Sequence, residues 1–243
     1  MIKIQGLHKS FNGHAVLCGV DLFIPRGKIT VIIGPSGCGK TVLLRHIIGL
    51  LKPDRGRVTI DNVDLSTLDR VSLNNVRKRF GMLFQSAALF DSLTVFDNIA
   101  FPLREHKRMK ELSVIEKIVN EKLKLVGLPN AGYKMPSELS GGMKKRVGLA
   151  RAIVLEPEIV LYDEPTTGLD PIMAATIDNL ILSMQQNLNI TSVVISHDIE
   201  SAFKVADQIA MVDKGRIIES GTPDEFRKSK NEIVQNFLRA GLN

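Results

Sequence analysis

A chain of 243 residues, 44% hydrophobic and 24% charged, is long enough to bury a core unaided and lies far from the composition of a disordered segment. Its two cysteines, Cys18 and Cys38, exclude a disulfide framework and sit in no Cys/His metal spacing; its apolar runs are far shorter than the roughly 20 residues that cross a bilayer. No charged-then-apolar leader opens the chain, so the expected setting is the cytoplasm, and the net charge of +6 is spread over clusters at 77–79, 104–110 and 144–146. No aromatic-interleaved basic groove accompanies them, so no nucleic-acid partner is expected and an anionic membrane face suits the charge better.

Short strands are expected over 2–6, 20–24, 29–33 and 57–60, punctuated by Asn12-Gly13 and by the Pro/Gly turns at 25–27 and 53–56. They suggest a small antiparallel sheet beside a nucleotide-binding strand. Directly after the apolar run 29–33 stands Gly34-Pro35-Ser36-Gly37-Cys38-Gly39-Lys40-Thr41, which fits G-x-x-x-x-G-K-[ST] and opens a helical run at Val42. In that setting the glycines let successive N–H groups converge on phosphate oxygens, and the helix start adds partial positive charge. Lys40 is expected to reach the outer phosphates and Thr41 to ligate Mg²⁺. A plain Gly-rich turn is the competing reading, and the agreement of strand, loop and helix speaks against it.

Gln85 follows the apolar residues 82–84, where an amide can touch both a metal and a water. From 86 to 155 the pattern turns helical, clearest over 112–126, and reads as a helical subdomain. Inside it, Leu139-Ser140-Gly141-Gly142-Met143 leads into a helical run over 144–152. A serine hydroxyl, two glycines and a helix N-terminus make a second anion-binding device. The first device already has its nucleotide, so the second calls for another phosphate, most economically one held by a second copy of the chain. A head-to-tail dimer with two ATP molecules at its interface is the expectation.

Downstream, apolar strands at 159–162, 192–195 and 208–212 alternate with helices at 172–186 and 199–205, the pattern of a mainly parallel sheet covered by helices. The first of these strands runs into Asp163-Glu164, at the sheet edge where such folds place ligands. Asp163 is expected to hold Mg²⁺ through water and Glu164 to polarise the attacking water. His197 follows the strand at 192–196 and is expected at the same edge, in reach of the terminal phosphate. Taken singly, His197 and Gln85 also fit structural roles, and the acidic pair fits a solvated strand end. Residues 225–242 read as a terminal helix in a tail spanning 220–243.

Together, the phosphate loop, Gln85, residues 139–143, Asp163-Glu164, Gly168-Leu169-Asp170 and His197 resemble the nucleotide-binding domain of ATP-binding cassette (ABC) transporters across nearly the whole chain. The resemblance implies an α/β fold in one domain, 1–243: a P-loop NTPase core with a mainly parallel sheet, an N-terminal antiparallel β subdomain and an inserted α-helical subdomain. It also implies ATP and Mg²⁺ as cofactors, Phe11 stacking on adenine, and Asp170 in a loop that communicates between two sites.

Met143, where most cassettes carry glutamine, and the segments 76–90 and 95–105 resemble the ATPase subunits of MCE-linked phospholipid transporters, which maintain outer-membrane lipid asymmetry. That likeness implies a polytopic permease, an MCE substrate-binding protein, sometimes a STAS-domain regulator, and a peripheral place on the cytoplasmic face of the inner membrane. Phe90 and Leu93 are then the candidates for permease contact, with burial as the alternative. An ATPase of a small-solute importer of amino-acid type would share every catalytic residue. A non-transport cassette ATPase usually fuses two cassettes or inserts a long coiled coil, and neither is present here.

Overall fold

The computed structural model describes residues 1–241. In chain order its elements are β1 (Ile2–Phe11), β2 (His14–Ile24), β3 (Ile29–Ile33), α1 (Lys40–Ile47), β4 (Arg55–Ile60), β5 (Val63–Asp64), α2 (Arg70–Arg77), β6 (Phe80–Leu83), α3 (Val95–His106), α4 (Leu112–Leu125), α5 (Gly141–Ile153), β7 (Ile159–Asp163), α6 (Pro171–Leu188), β8 (Thr191–Ile195), α7 (Ile199–Val205), β9 (Gln208–Asp213), β10 (Arg216–Gly221), α8 (Pro223–Arg227) and α9 (Glu232–Gly241). One sheet is antiparallel, in the order β2-β1-β4-β5. The other runs β10-β9-β3-β8-β7-β6 and is parallel except for the β9–β10 hairpin.

The strand sequences explain why the parallel sheet is central. Every residue of β3 is buried, with Ile29, Val31 and Ile33 in one apolar core and Ile32 in the other. The same two-residue period sends Val160 and Tyr162 of β7 to the first core and Ile159 and Leu161 to the second. Helices α3 to α9 close over the first core, while α1 and the antiparallel sheet close over the second. Each fully buried Val, Ile or Leu contributes roughly 1.5–3 kcal/mol, which pins the sheet between the two layers.

The expected fold class holds, and the differences lie at element ends, in two short strands and in one loop. β1 and β2 are 10 and 11 residues long because register shifts, the first between Ile4 and Leu7, let pairing continue where the apolar alternation breaks. β6, of four residues directly after the basic cluster, and the edge strand β10 have too little apolar alternation to be read from sequence. Residues 86–94 are loop, with Ala87 and Ala88 at left-handed φ of 61° and 47°. The helix expected over 225–242 is broken into α8 and α9. Ser229 Oγ donates to Glu219 Oε2 (2.5 Å), and Asn231 Oδ1 accepts from Ile233 N–H (3.0 Å) and starts α9; Leu242 lies outside the described residues. Among the described residues no helix is long and apolar enough to cross a membrane.

Candidate functional site

The loop between β3 and α1 is built as an anion cradle. Gly34, Gly37 and Gly39 all have left-handed φ (148°, 77° and 107°), turning the backbone so tightly that Pro35, Ser36 and Gly37 stand exposed above it. Helix α1 begins at Gly39 with no side-chain cap and no acidic residue in its first turn, so its first N–H groups are left for an external anion. Lys40, only 6% exposed, bends over the loop and donates to the carbonyls of Gly34 (2.8 Å) and Pro35 (2.9 Å). Cys38 is half-buried and burial pushes its thiol pKa up, partly offset by Lys40, so the thiol stays protonated beside the lysine.

The end of β7 meets this loop. Thr41 Oγ1 donates to Asp163 Oδ1 at 3.4 Å. Burial raises the Asp163 pKa, the adjacent Glu164 adds to the rise, and Thr41, Arg45 and Lys145 oppose it. Glu164 has φ of 49° although it precedes Pro165, a combination that costs about 1–3 kcal/mol and survives only where the surroundings hold it. Its N–H donates to Ile195 O (3.0 Å), and its carbonyl accepts from Lys145 Nζ (3.1 Å) and Thr167 N–H (3.4 Å). The turn aims the carboxylate at three segments: Oε2 accepts from Gln85 Nε2 (3.1 Å) and Thr167 Oγ1 (3.1 Å), and lies 3.5 Å from His197 Nδ1.

Thus Lys40, Thr41, Gln85, Asp163, Glu164 and His197, spread over more than 150 positions of the sequence, form one contact chain at the C-terminal edge of the parallel sheet. Thr41 Oγ1, the Asp163 carboxylate and the amide oxygen of Gln85 are hard oxygen donors that suit Mg²⁺. Among the described residues no group of three or more His, Cys, Asp or Glu could hold a metal alone.

The second anion device has the expected cap. Ser140 Oγ accepts from Met143 N–H (3.3 Å) at the start of α5, leaving its own proton to donate, and Ser140 and Gly141 are exposed while Gly142 is buried. Met143 packs its side chain against the main core, so the residue that departs from the usual glutamine acts as an apolar anchor for the helix start. Asp170 caps α6, accepting from the N–H groups of Ile172 and Met173 at 3.0 Å each. Phe11 ends β1 with its ring 42% exposed and Lys9 Nζ 5.5 Å from the ring centroid.

Of the two apolar residues proposed for contact after Gln85, Phe90 is 44% exposed but Leu93 is half-buried, because Asn98 ties down the backbone around it. Asn98, fully buried, donates to the carbonyls of Phe90, Leu93 and Thr94 and accepts from Phe90 N–H. Phe84, Phe90, Phe101, Pro102 and His106 line a groove of about 340 Å³ beside Arg151, whose guanidinium donates to the carbonyls of Ala87 and Ala88 (2.8 Å each). Asn98, Arg151, Lys145 and Thr167 escaped the sequence reading. Three of them work mainly on backbone carbonyls, which leave no pattern in the partner's sequence; for Thr167 the only signal was its place three residues after Glu164.

Comparison with known proteins identifies the family. The profile of the ABC transporter family matches residues 17–167. The chain is 44% identical to the intermembrane phospholipid transport ATP-binding protein MlaF of Haemophilus influenzae, over 98% of this chain and 90% of that one, and to MlaF of Escherichia coli K12, over 98% and 88%. It is also 44% identical to the probable ribonucleotide transport ATP-binding protein mkl of Mycobacterium leprae, over 98% of this chain and 68% of that one. Among solved structures, the dimeric cassette MJ0796 in a post-hydrolysis state with ADP and Pi superposes with a TM-score of 0.84 at 31% identity, covering 92% of this chain and 99% of that one. CbiO1 of Clostridium perfringens, part of an ABC transporter complex, superposes with a TM-score of 0.86 at 33% identity, covering 98% and 94%. The chain belongs to the ATP-binding cassette transporter family and is an ATPase of that family.

Proposed function

We propose that this chain is the ATPase subunit of a transporter that moves phospholipid between membranes, seated on the cytoplasmic face of the inner membrane and paired head to tail with a second copy. The observation that carries the proposal is the pair of helix starts suited to phosphate in one chain. That of α1 adjoins the chain's own Asp163 through Thr41, and that of α5 is exposed with Ser140 at its tip.

In the dimer, the loop over 34–41 wraps the phosphates of one ATP, Phe11 stacks on its adenine, and Ser140, Gly141 and Gly142 of the other copy close over the terminal phosphate. Thr41, Gln85 and water-bridged Asp163 would hold Mg²⁺, which when bound neutralises charge on the phosphate oxygens. Lys40 swings from its own loop's carbonyls to the outer phosphates. Glu164 orients and polarises the attacking water through the oxygen left free by Gln85 and Thr167, and His197 contacts the departing phosphate. Asp170, at the start of α6, lies in the loop that informs one site of the other.

The cargo reading rests on the phospholipid-transport relatives, matched over most of their own length, and on the resemblance carried by Met143 and the segment after Gln85. The groove lined by Phe84, Phe90 and Phe101 is where the polytopic permease docks; an MCE protein carries the lipid beyond it, and a STAS-domain regulator is a further candidate partner.

Glu164→Gln is expected to lower ATP turnover about 10²–10⁴-fold while ATP stays bound in a closed dimer; normal turnover would remove Glu164 from its role. Purification of the tagged full chain in detergent, with mass spectrometry of proteins and lipids, is expected to recover permease, MCE protein and phospholipid, and Phe90→Glu to lose them. Recovery of a solute permease without lipid, or of bound ribonucleotide as cargo, overturns the cargo reading.

A further inference from the structure

Lys145 is a buried cation without an obvious reason to be one. It sits in α5, five residues beyond Ser140, and is only 5% exposed. Burial lowers its pKa, and the charges of Glu164 and Asp163 oppose that shift. An apolar side chain would pack this face of the helix at lower cost than an ammonium group taken out of water. Among the described residues its hydrogen bond goes to a single acceptor, the backbone carbonyl of Glu164 (3.1 Å).

That carbonyl belongs to the strained turn. Glu164 has left-handed φ before a proline, a conformation that persists only where the surroundings over-determine it. Ile195 of β8 holds its N–H, and Thr167 N–H reaches the carbonyl from within the turn at 3.4 Å. Lys145 is the hold that comes from the helix beginning at Ser140. If it is removed, the peptide after Glu164 is freer to rotate, and the carboxylate leaves its register with Gln85, Thr167 and His197.

We propose that Lys145 is a positioning residue for hydrolysis: by holding the Glu164 carbonyl it aims the carboxylate, so this one hydrogen bond sets the rate of the chemical step without setting ATP affinity. The proposal rests on Glu164 as the residue that polarises water.

The test uses the full chain, with steady-state and single-turnover ATP hydrolysis, ATP binding and thermal melting measured on each variant. Lys145→Met, close in shape and lacking the donor, is expected to lower kcat at least tenfold with KM and ATP affinity within twofold. Lys145→Arg, which keeps a cationic donor, is expected to recover at least half of the lost rate. On a Glu164→Gln background, Lys145→Met is expected to slow the residual rate by less than twofold, because the group it aims is already gone.

A Lys145→Met kcat within twofold of wild type overturns the proposal. So does a full tenfold further loss on the Glu164→Gln background, which would make the lysine act independently of Glu164. A variant that loses fold and rate together and is not restored by Lys145→Arg makes Lys145 a residue of the core, and also overturns it. Should Glu164→Gln itself turn over normally, the reading of Glu164 fails, and that result is scored separately from Lys145.

Discussion

Gly34 opens the phosphate loop with φ of 148°, and a Cβ built there would overlap the carbonyl oxygen of Val212 on β9. Since β9 is a paired strand and cannot yield, Gly34→Ala is expected to cost about 1–3 kcal/mol in overpacking, before the strain of its φ is added. Thermal melting should show the loss, and ATP binding should fall with it; an unchanged melting temperature would mean that the loop and β9 can separate. The loop residues, Asp163-Glu164 and His197 were legible because each stands at a fixed offset from an apolar strand, and chain adjacency carries that information. Lys145 was not legible: its partner is a carbonyl 19 residues away, and nothing in the sequence marks a carbonyl as needing a donor.

At the scale of elements, α6 begins at Asp170 and α7 directly follows His197, and the two helices are joined by a buried contact: Ser201 Oγ donates to Asp178 Oδ1 at 2.5 Å, with Lys204 Nζ 3.8 Å from Oδ2. Asp178 is 5% exposed at its side chain, and burial pushes its pKa above the ordinary carboxylate value against the pull of Ser201 and Lys204. Ser201→Ala removes a donor from a buried acid and is expected to cost about 1–3 kcal/mol, read as a fall of about 2–4 °C in Tm per kcal/mol for a domain of this size. Because the folded pKa is raised, Asp178's contribution to stability is fully present below its unfolded pKa and is lost as pH rises through the folded value. Asp178→Asn should therefore compare more favourably with wild type at pH 7 than at pH 4 in thermal melts.

The broken terminal helix belongs to the same scale. Its stop and restart were written in Ser229 and Asn231, both capping residue types, but the apolar period running from Phe226 to Leu238 masked them.

For the whole molecule, the two sheets are tied at the surface by four charges from four separate connections. Arg79 reaches Asp61 (2.6 Å) and Glu158 (2.8 Å), while Arg26 reaches Asp61 (2.7 Å) and Glu158 (3.5 Å). Burial alone would raise the Asp61 pKa, but Arg79 and Arg26 outweigh it and hold the carboxyl below its usual value; Glu158 is held down chiefly by Arg79. Stability from depressed carboxylates is present above their unfolded pKa and is lost as pH falls through the folded value. Arg79→Met is accordingly expected to lower stability by about 1 kcal/mol at neutral pH and low salt, and by less in acid, where the carboxylates are protonated. A difference that does not shrink toward low pH would show that Arg79 acts through packing instead. The layered architecture around the cluster was legible from the alternation of apolar strands and helices. The cluster itself was not, since its members are far apart in sequence and look like ordinary surface charge.

Helix α5 links these scales. From Ser140 to Arg151 it is a rod about 16 Å long at 1.5 Å per residue. Its tip at Ser140 and Gly141 is exposed and bears a hydroxyl, its second turn grips the turn that bears Glu164, and its last holds the two alanine carbonyls beside the apolar groove. A rod does not stretch, so a shove at the groove end is delivered to both other stations at once. In mechanical terms α5 is a crankshaft: under the proposed docking, a push from the permease at the groove end would reach the Ser140 tip and the turn that bears Glu164 together.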